Sequence, residues 1–157
     1  MSPVREDLLR PSLSPLATVV KAPFSNQAAF VSAFVGGPVA ATAMFAINAW
    51  RIGRLGRDAA WVVLALAAYL AWFAYVARPG AALAFNALVT PWLGDAANRI
   101  LLRLGAMLIC LGGMVCHRRE QRSTDLFGVK RPNGWLAGAG LIAVGWGANI
   151  LAASWFA

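Results

Sequence analysis

The chain has 157 residues, of which 60% are hydrophobic and only 13% are charged. Soluble domains carry roughly 45–50% apolar and about 25% charged residues, because polar groups must cover the large surface of a small fold. The composition therefore excludes a soluble globular enzyme, a disordered chain and a disulfide-stapled domain, and it predicts a membrane protein. The net charge of +8 lies mainly between apolar stretches, so we predict no nucleic-acid partner.

The first 26 residues are polar and rich in proline. They lack the basic start, apolar centre and small-residue cleavage site of a signal peptide. We therefore interpret residues 1–26 as an N-terminal tail, with a short surface-lying segment around residues 13–20. Residues 27–157 are predicted to form a single transmembrane domain.

Four apolar stretches follow the tail. They cover residues 28–50, 59–77, 100–116 and 135–156. As helices they would be roughly 35, 28, 26 and 33 Å long, against about 30 Å of hydrocarbon in a bilayer. The third is short, and Asp95 as its N-cap would extend it backwards. We predict an all-α bundle of four transmembrane helices.

Two segments should depart from a simple bundle. Pro38 lies inside the first stretch, where it donates no hydrogen bond and clashes with the carbonyl of Phe34, so we predict a kinked first helix. Residues 80–94 have an apolar core of about 13 residues, which is too short to cross a bilayer. We predict that they form an interfacial or re-entrant segment between the second and third helices.

Basic residues near the helix ends predict the orientation. The loops after the first and third stretches hold eight of them: Arg51, Arg54, Arg57, Arg118, Arg119, Arg122, Lys130 and Arg131. The second loop holds two, and the tail holds three: Arg78, Arg99, Arg5, Arg10 and Lys21. We predict that the first and third loops are cytoplasmic and that both termini are periplasmic, although the positive charges of the tail oppose its translocation.

The first helix also carries a motif. It reads Gly36-Gly37-Pro38-Val39-Ala40-Ala41, then Asn48, then Arg51-Ile52-Gly53-Arg54. This pattern resembles that of an uncharacterised family of small bacterial four-helix inner-membrane proteins. The resemblance implies a bacterial inner-membrane location and brings no catalytic or binding residues with it.

The residues that could carry chemistry are few. All six carboxylates lie in the tail, in loops or at helix ends: Glu6, Asp7, Asp58, Asp95, Glu120 and Asp125. A proton-coupled exporter needs an acid inside the membrane, and an intramembrane protease needs paired acids or clustered metal ligands. We interpret His117, the only histidine, as an interfacial residue beside an arginine cluster. We therefore predict no catalytic residue, no metal site and no cofactor.

The best candidate site is a polar layer in the outer half of the membrane. Counted from the cytoplasmic helix ends, the carbonyl freed by Pro38 lies roughly 24 Å deep. On the same count, the depths of Arg103, Asn149 and Tyr75 are about 20, 21 and 24 Å. All three side chains are hydrogen-bond donors that could satisfy this carbonyl. We predict that Pro38, Tyr75, Arg103 and Asn149 form a layer suited to an anionic ligand. In the alternative, Arg103 snorkels outward and Asn149 bonds its own helix.

The second candidate is the basic loop of residues 117–133. We predict that it binds anionic lipid headgroups and docks other membrane subunits or a second copy of the chain. Its candidate contact residues are Arg118, Arg119, Arg122, Lys130 and Arg131. These features favour a non-enzymatic accessory, assembly or partner-binding subunit of a larger membrane complex. The alternative is a small oligomeric transporter or channel.

Overall fold

A computed structural model describes residues 21–126 and 131–156, so most of the predicted tail and Lys130 lie outside the described residues. The described part is helical, as the composition predicts. Six α-helices follow one another: α1 (Asn26–Arg51), α2 (Leu55–Val76), α3 (Pro79–Leu93), α4 (Ala97–Cys116), α5 (Arg118–Leu126) and α6 (Trp135–Phe156). A short 3-10 turn, Gly94–Ala96, joins α3 to α4.

Four helices are long and apolar enough to cross a membrane: α1, α2, α4 and α6. They correspond to the four predicted stretches, which confirms the multi-pass class at the level of length and composition. The predicted segment between the second and third stretches is the 15-residue helix α3. At 1.5 Å per residue α3 is roughly 22 Å long, which is shorter than the hydrocarbon core.

The chain reverses direction inside α1. Gly37 has φ 76° and ψ −165°, a conformation that is essentially restricted to glycine. Hydrogen bonds join the residues before α1 to its end: the Phe24 amide donates to Asn48 Oδ1 (2.8 Å) and Arg51 Nε donates to the Ala22 carbonyl (2.8 Å). In a continuous helix, residues 24 and 48 would be about 36 Å apart. Residues 26–36 and 38–51 are therefore two antiparallel arms of a hairpin.

This reversal corrects the prediction of a kinked first span. The break lies at Pro38 as expected, but the chain folds back there instead of bending and continuing. Gly37 supplies the backbone conformation that the reversal needs, and Pro38 donates no hydrogen bond that would continue the first arm. The arms are roughly 16 and 21 Å long at 1.5 Å per residue, which is less than a full crossing of about 30 Å.

The hairpin lies at the centre of the fold. α1 packs against α2, α4 and α6. Much of α1 is buried, whereas only two residues of α2 are buried. The core lies between the two arms and α4, and it consists of small or flexible apolar residues: Ala29, Ala33, Ala41, Met44, Ala106 and Cys110. α6 packs along the first arm through glycines. A Cβ at Gly145 would overlap the carbonyl of Gly36, so this contact requires close backbone approach.

We call the reversal at residues 36–38 the hairpin tip. We expect Gly145→Ala to destabilise the fold, because the added methyl group overlaps the backbone of Gly36 there. Overpacking of this kind costs about 1–3 kcal/mol, which exceeds the gain of about 1 kcal/mol in helix propensity. The measurement is the thermal midpoint of the purified protein in detergent. Gly147→Ala on the same helix is the matched control, because nothing lies within 4 Å of a Cβ there. Equal midpoints for the two variants would contradict the close packing of α6 on the tip.

Candidate functional site

Asp58 and His117 are buried together at one end of the molecule, which also holds both ends of α1 and helix α5. We call it the basic end. Asp58 lies in the first turn of α2 and is 4% exposed, and His117 follows α4 and is 1% exposed. His117 Nε2 lies 2.9 Å from Asp58 Oδ2, and its ring stacks on Phe45 with 5.0 Å between centroids. The pair ties the start of α2 to the end of α4.

Arg54 extends this pair into a cluster of four charged or titratable side chains. Its Nε lies 3.7 Å from Asp58 Oδ2, and its Nη1 donates to Glu120 and to the Cys116 carbonyl. Burial acts to raise the pKa of Glu120, but a backbone hydrogen bond and the Arg54 guanidinium hold it below the usual carboxyl range. Glu120 is therefore ionised at neutral pH and pairs with Arg54. We call Arg54, Asp58, His117 and Glu120 the ion cluster.

The ion cluster is not predictable from the sequence pattern, because Asp58 and His117 are 59 positions apart. In the sequence Asp58 reads as a helix-end residue and His117 as an interfacial neighbour of arginines. One local signal was present, because Arg54 and Asp58 are four residues apart and so share a helix face. Among the described residues no group of three or more His, Cys, Asp or Glu could hold a metal ion.

The hairpin tip is surrounded by polar groups, only some of which were predicted. Asn149 faces the break, since a Cβ on Gly37 would lie 3.6 Å from its Nδ2. Asn149 Oδ1 accepts a hydrogen bond from the Tyr69 hydroxyl (2.7 Å). Trp146 Nε1 donates to the carbonyl of Val35 (3.0 Å). The structure thus brings Asn149 to the break near Pro38 and adds Tyr69 and Trp146, which the sequence analysis had not selected.

Arg103 and Tyr75 do not join these bonds. The Arg103 guanidinium lies 5.3 Å from the centre of the Phe34 ring, a cation–π contact with the first arm. Tyr75 is 44% exposed, and its ring contacts that of Trp72. Tyr75 lies six residues after Tyr69, which turns it about 120° away on the helix. Depth along the helix therefore did not identify the tyrosine that bonds Asn149, because it does not tell which face of α2 meets α6.

The predicted contact residues of the basic loop lie on and after α5. Arg118, Arg119 and Arg122 are exposed on this helix. Arg131 instead forms two hydrogen bonds with Asp125, at 3.1 and 2.7 Å. Both acids of α5 are thus paired, Glu120 with Arg54 and Asp125 with Arg131. The three exposed arginines leave this surface positively charged.

A cavity of about 810 Å³ separates α2 from α4. The two helices pack on α1 rather than on each other, and Pro38 and Phe45 of α1 form the floor between them. The walls are apolar, with Trp61 and Leu64 on α2 and Leu108 on α4. We call this cavity the cleft.

Polar bridges join α2 to α4 at both ends of the cleft. The ion cluster forms the bridge at the basic end. At the opposite end, Trp72 Nε1 donates to Asn98 Oδ1 (2.9 Å), and Phe85 of α3 packs edge-on against Trp72 with 5.1 Å between ring centroids. The cleft therefore has two defined ends and an apolar middle.

Comparison with known proteins finds no match: no family model, curated protein or solved structure matches the chain. The resemblance carried by the Gly36–Arg54 motif stays a prediction.

We expect Asp58→Leu to lower stability by about 3–5 kcal/mol, because it leaves buried His117 without its partner. The double variant Asp58→Leu/His117→Leu should recover much of this loss, since an apolar pair replaces the polar one. Thermal unfolding in detergent gives both values. Asp125→Leu is the control for loss of an exposed pair, with an expected change of at most about 1 kcal/mol. Additive losses in the double variant would show that Asp58 and His117 are not coupled.

Proposed function

We propose that this protein is a non-enzymatic, multi-pass protein of a bacterial inner membrane that acts as an accessory, partner-binding subunit. The observation that carries the proposal is the way α5 is held. Its two acids are bonded to arginines outside the helix, and Arg118, Arg119 and Arg122 remain exposed. The partner that fits this surface is an acidic cytoplasmic segment of another membrane protein.

The anchoring of α5 favours recognition of a partner. Arg118 and Arg122 are one helical turn apart and share a face. The Arg54–Glu120 pair ties α5 to the start of α2, and the Arg131–Asp125 pair ties it to the residues before α6. A surface that is already ordered loses less conformational entropy when it binds, so more of its electrostatic attraction contributes to affinity.

The orientation that we propose differs from the prediction of two periplasmic termini. Because α1 folds back, Lys21 lies beside Arg51, and its amide donates to the Arg51 carbonyl (3.0 Å). Basic loops remain on the cytoplasmic side, so the reversal supports a cytoplasmic N-terminus and a periplasmic C-terminus. The protein would then have three spans, α2, α4 and α6, and one re-entrant hairpin. In this arrangement the positive charges of the tail do not cross the membrane.

Cysteine labelling tests this orientation in a variant that lacks Cys110 and Cys116. We expect Lys21→Cys and Arg119→Cys to react with an impermeant maleimide only after the inner membrane is opened, because both lie at the basic end. Ser154→Cys, near the end of α6, should react in intact spheroplasts. Labelling of Lys21→Cys from outside, with Arg119→Cys still protected, would contradict the re-entrant hairpin.

A binding role also agrees with the interior. The polar groups of Asp58 and His117 bond each other, and those of Tyr69 and Asn149 do likewise. Apolar side chains fill the core between the two arms of α1 and α4. A polar solute could pass there only if these side chains moved apart. The reversal itself favours the alternative, a small oligomeric transporter or channel, because broken helices and re-entrant segments line the ion and solute sites of such proteins.

Co-purification in mild detergent distinguishes these two functions. We expect a stoichiometric foreign subunit to co-purify with the unmodified protein. The triple variant Arg118→Gln/Arg119→Gln/Arg122→Gln should bind this subunit roughly three- to hundredfold more weakly, since each exposed ion pair contributes about 0.2–1 kcal/mol. High salt should weaken the complex of the unmodified protein in the same way.

The control for co-purification is Arg78→Gln/Arg99→Gln, which removes exposed charges from the opposite end. It should retain the partner. A homo-oligomer that is unaffected by the α5 substitutions would favour the transporter and contradict the accessory role.

A further inference from the structure

We propose that the cleft between α2 and α4 binds one anionic diacyl phospholipid, with its acyl chains in the cleft and its phosphate at Arg57. This site goes beyond the proposed binding of a partner at α5, because it lies between α2 and α4 and takes a different class of ligand.

The walls of the cleft suit alkyl chains. Trp61, Leu64 and Ala68 of α2 face Leu101 and Leu108 of α4 across it. On the floor, Phe45 is stacked against His117 and therefore held in place. A concave surface of fixed shape contacts a chain on several sides, whereas a convex helix face contacts lipid on one side only. This difference favours a bound lipid over the exchanging lipids around the rest of the protein.

The length of the cleft suits the acyl chains of one leaflet. Asp58 and Trp72 mark its two ends on α2 and are about 21 Å apart at 1.5 Å per residue. Acyl chains of one leaflet are about 15 Å long, half of the hydrocarbon core, and fit between the two bridges.

The charge at the mouth of the cleft selects the headgroup. Arg57 is exposed, and it lies one helical turn before Trp61, so both occupy the same face of α2. Neighbouring Arg54 is bonded to Glu120 and Cys116, whereas Arg57 forms no ion pair within the described part of the chain. Tryptophan at this depth is typical of the bilayer interface. A lipid phosphate beside Arg57 would therefore place its chains along Trp61 and Leu64.

Native mass spectrometry of the full chain released from mild detergent tests the proposal. We expect one retained phosphatidylglycerol per chain. Gly105→Leu and Gly112→Leu place a large side chain in the cleft, where both glycines line the wall and nothing lies within 4 Å of a Cβ at either position. Each variant should retain phosphatidylglycerol more than tenfold less well, since every excluded methylene weakens binding about fourfold. Gly140→Leu on α6 is the matched control, also with open space at its Cβ, and should retain the lipid.

The headgroup is tested separately, in nanodiscs that contain phosphatidylglycerol and phosphatidylcholine in equal amounts. Arg57→Gln should lower the preference for retained phosphatidylglycerol about fivefold, the effect of one basic residue at an anionic surface. Arg99→Gln at the opposite end should not change this preference.

Three results would overturn the proposal. The first is equal lipid retention in the Gly112→Leu, Gly105→Leu and Gly140→Leu variants, which would identify the lipid as non-specific. The second is retention without preference for the anionic headgroup. The third is a disulfide or crosslink from Leu108→Cys, in the cleft wall, to a second copy or to a foreign membrane helix, which would show that a protein occupies the cleft.

Discussion

The fold depends on satisfying the backbone groups that the reversal at Gly37 exposes within apolar surroundings. A carbonyl or amide without a partner is costly in apolar surroundings, and a helix that ends there leaves several of them. α6 supplies part of the solution, because Trp146 donates to the Val35 carbonyl and Asn149 lies against Gly37. Tyr69 of α2 then fixes Asn149. The hairpin, α6 and α2 are therefore positioned by the same few bonds at the tip.

A central hairpin explains the arrangement of the other helices. Its arms provide two adjacent surfaces, and glycine contacts bring α6 onto the first arm. α4 reaches the second arm at Gly113, where a Cβ would lie 2.6 Å from the ring of Phe45. α2 and α4 are thus both held against α1 and are joined to each other by the Asp58–His117 and Trp72–Asn98 bridges. The cleft is the space left between these bridges, and its shape follows from the packing on α1.

Charge is distributed unequally along the molecule. Three carboxylates, Asp58, Glu120 and Asp125, lie at the basic end, and each is paired with a basic side chain. Pairing offsets part of the cost of burying Asp58 and His117. It also leaves the exposed arginines of α5 without neutralising acids nearby on that helix. One set of ion pairs therefore both joins the helix ends and defines the surface that we propose for a partner.

The sequence by itself determined the all-α class and the approximate bounds of the four helices that are long and apolar enough to cross a membrane. The predicted stretches 28–50, 59–77, 100–116 and 135–156 lie close to α1, α2, α4 and α6, because hydropathy and helix length are properties of consecutive residues. Only the tertiary structure decided that α1 folds back, that Tyr69 rather than Tyr75 bonds Asn149, and that Asp58 meets His117. Gly37 and Pro38 permit a break in a helix, but whether the chain bends or reverses there depends on the donors that a distant helix brings to the exposed carbonyls.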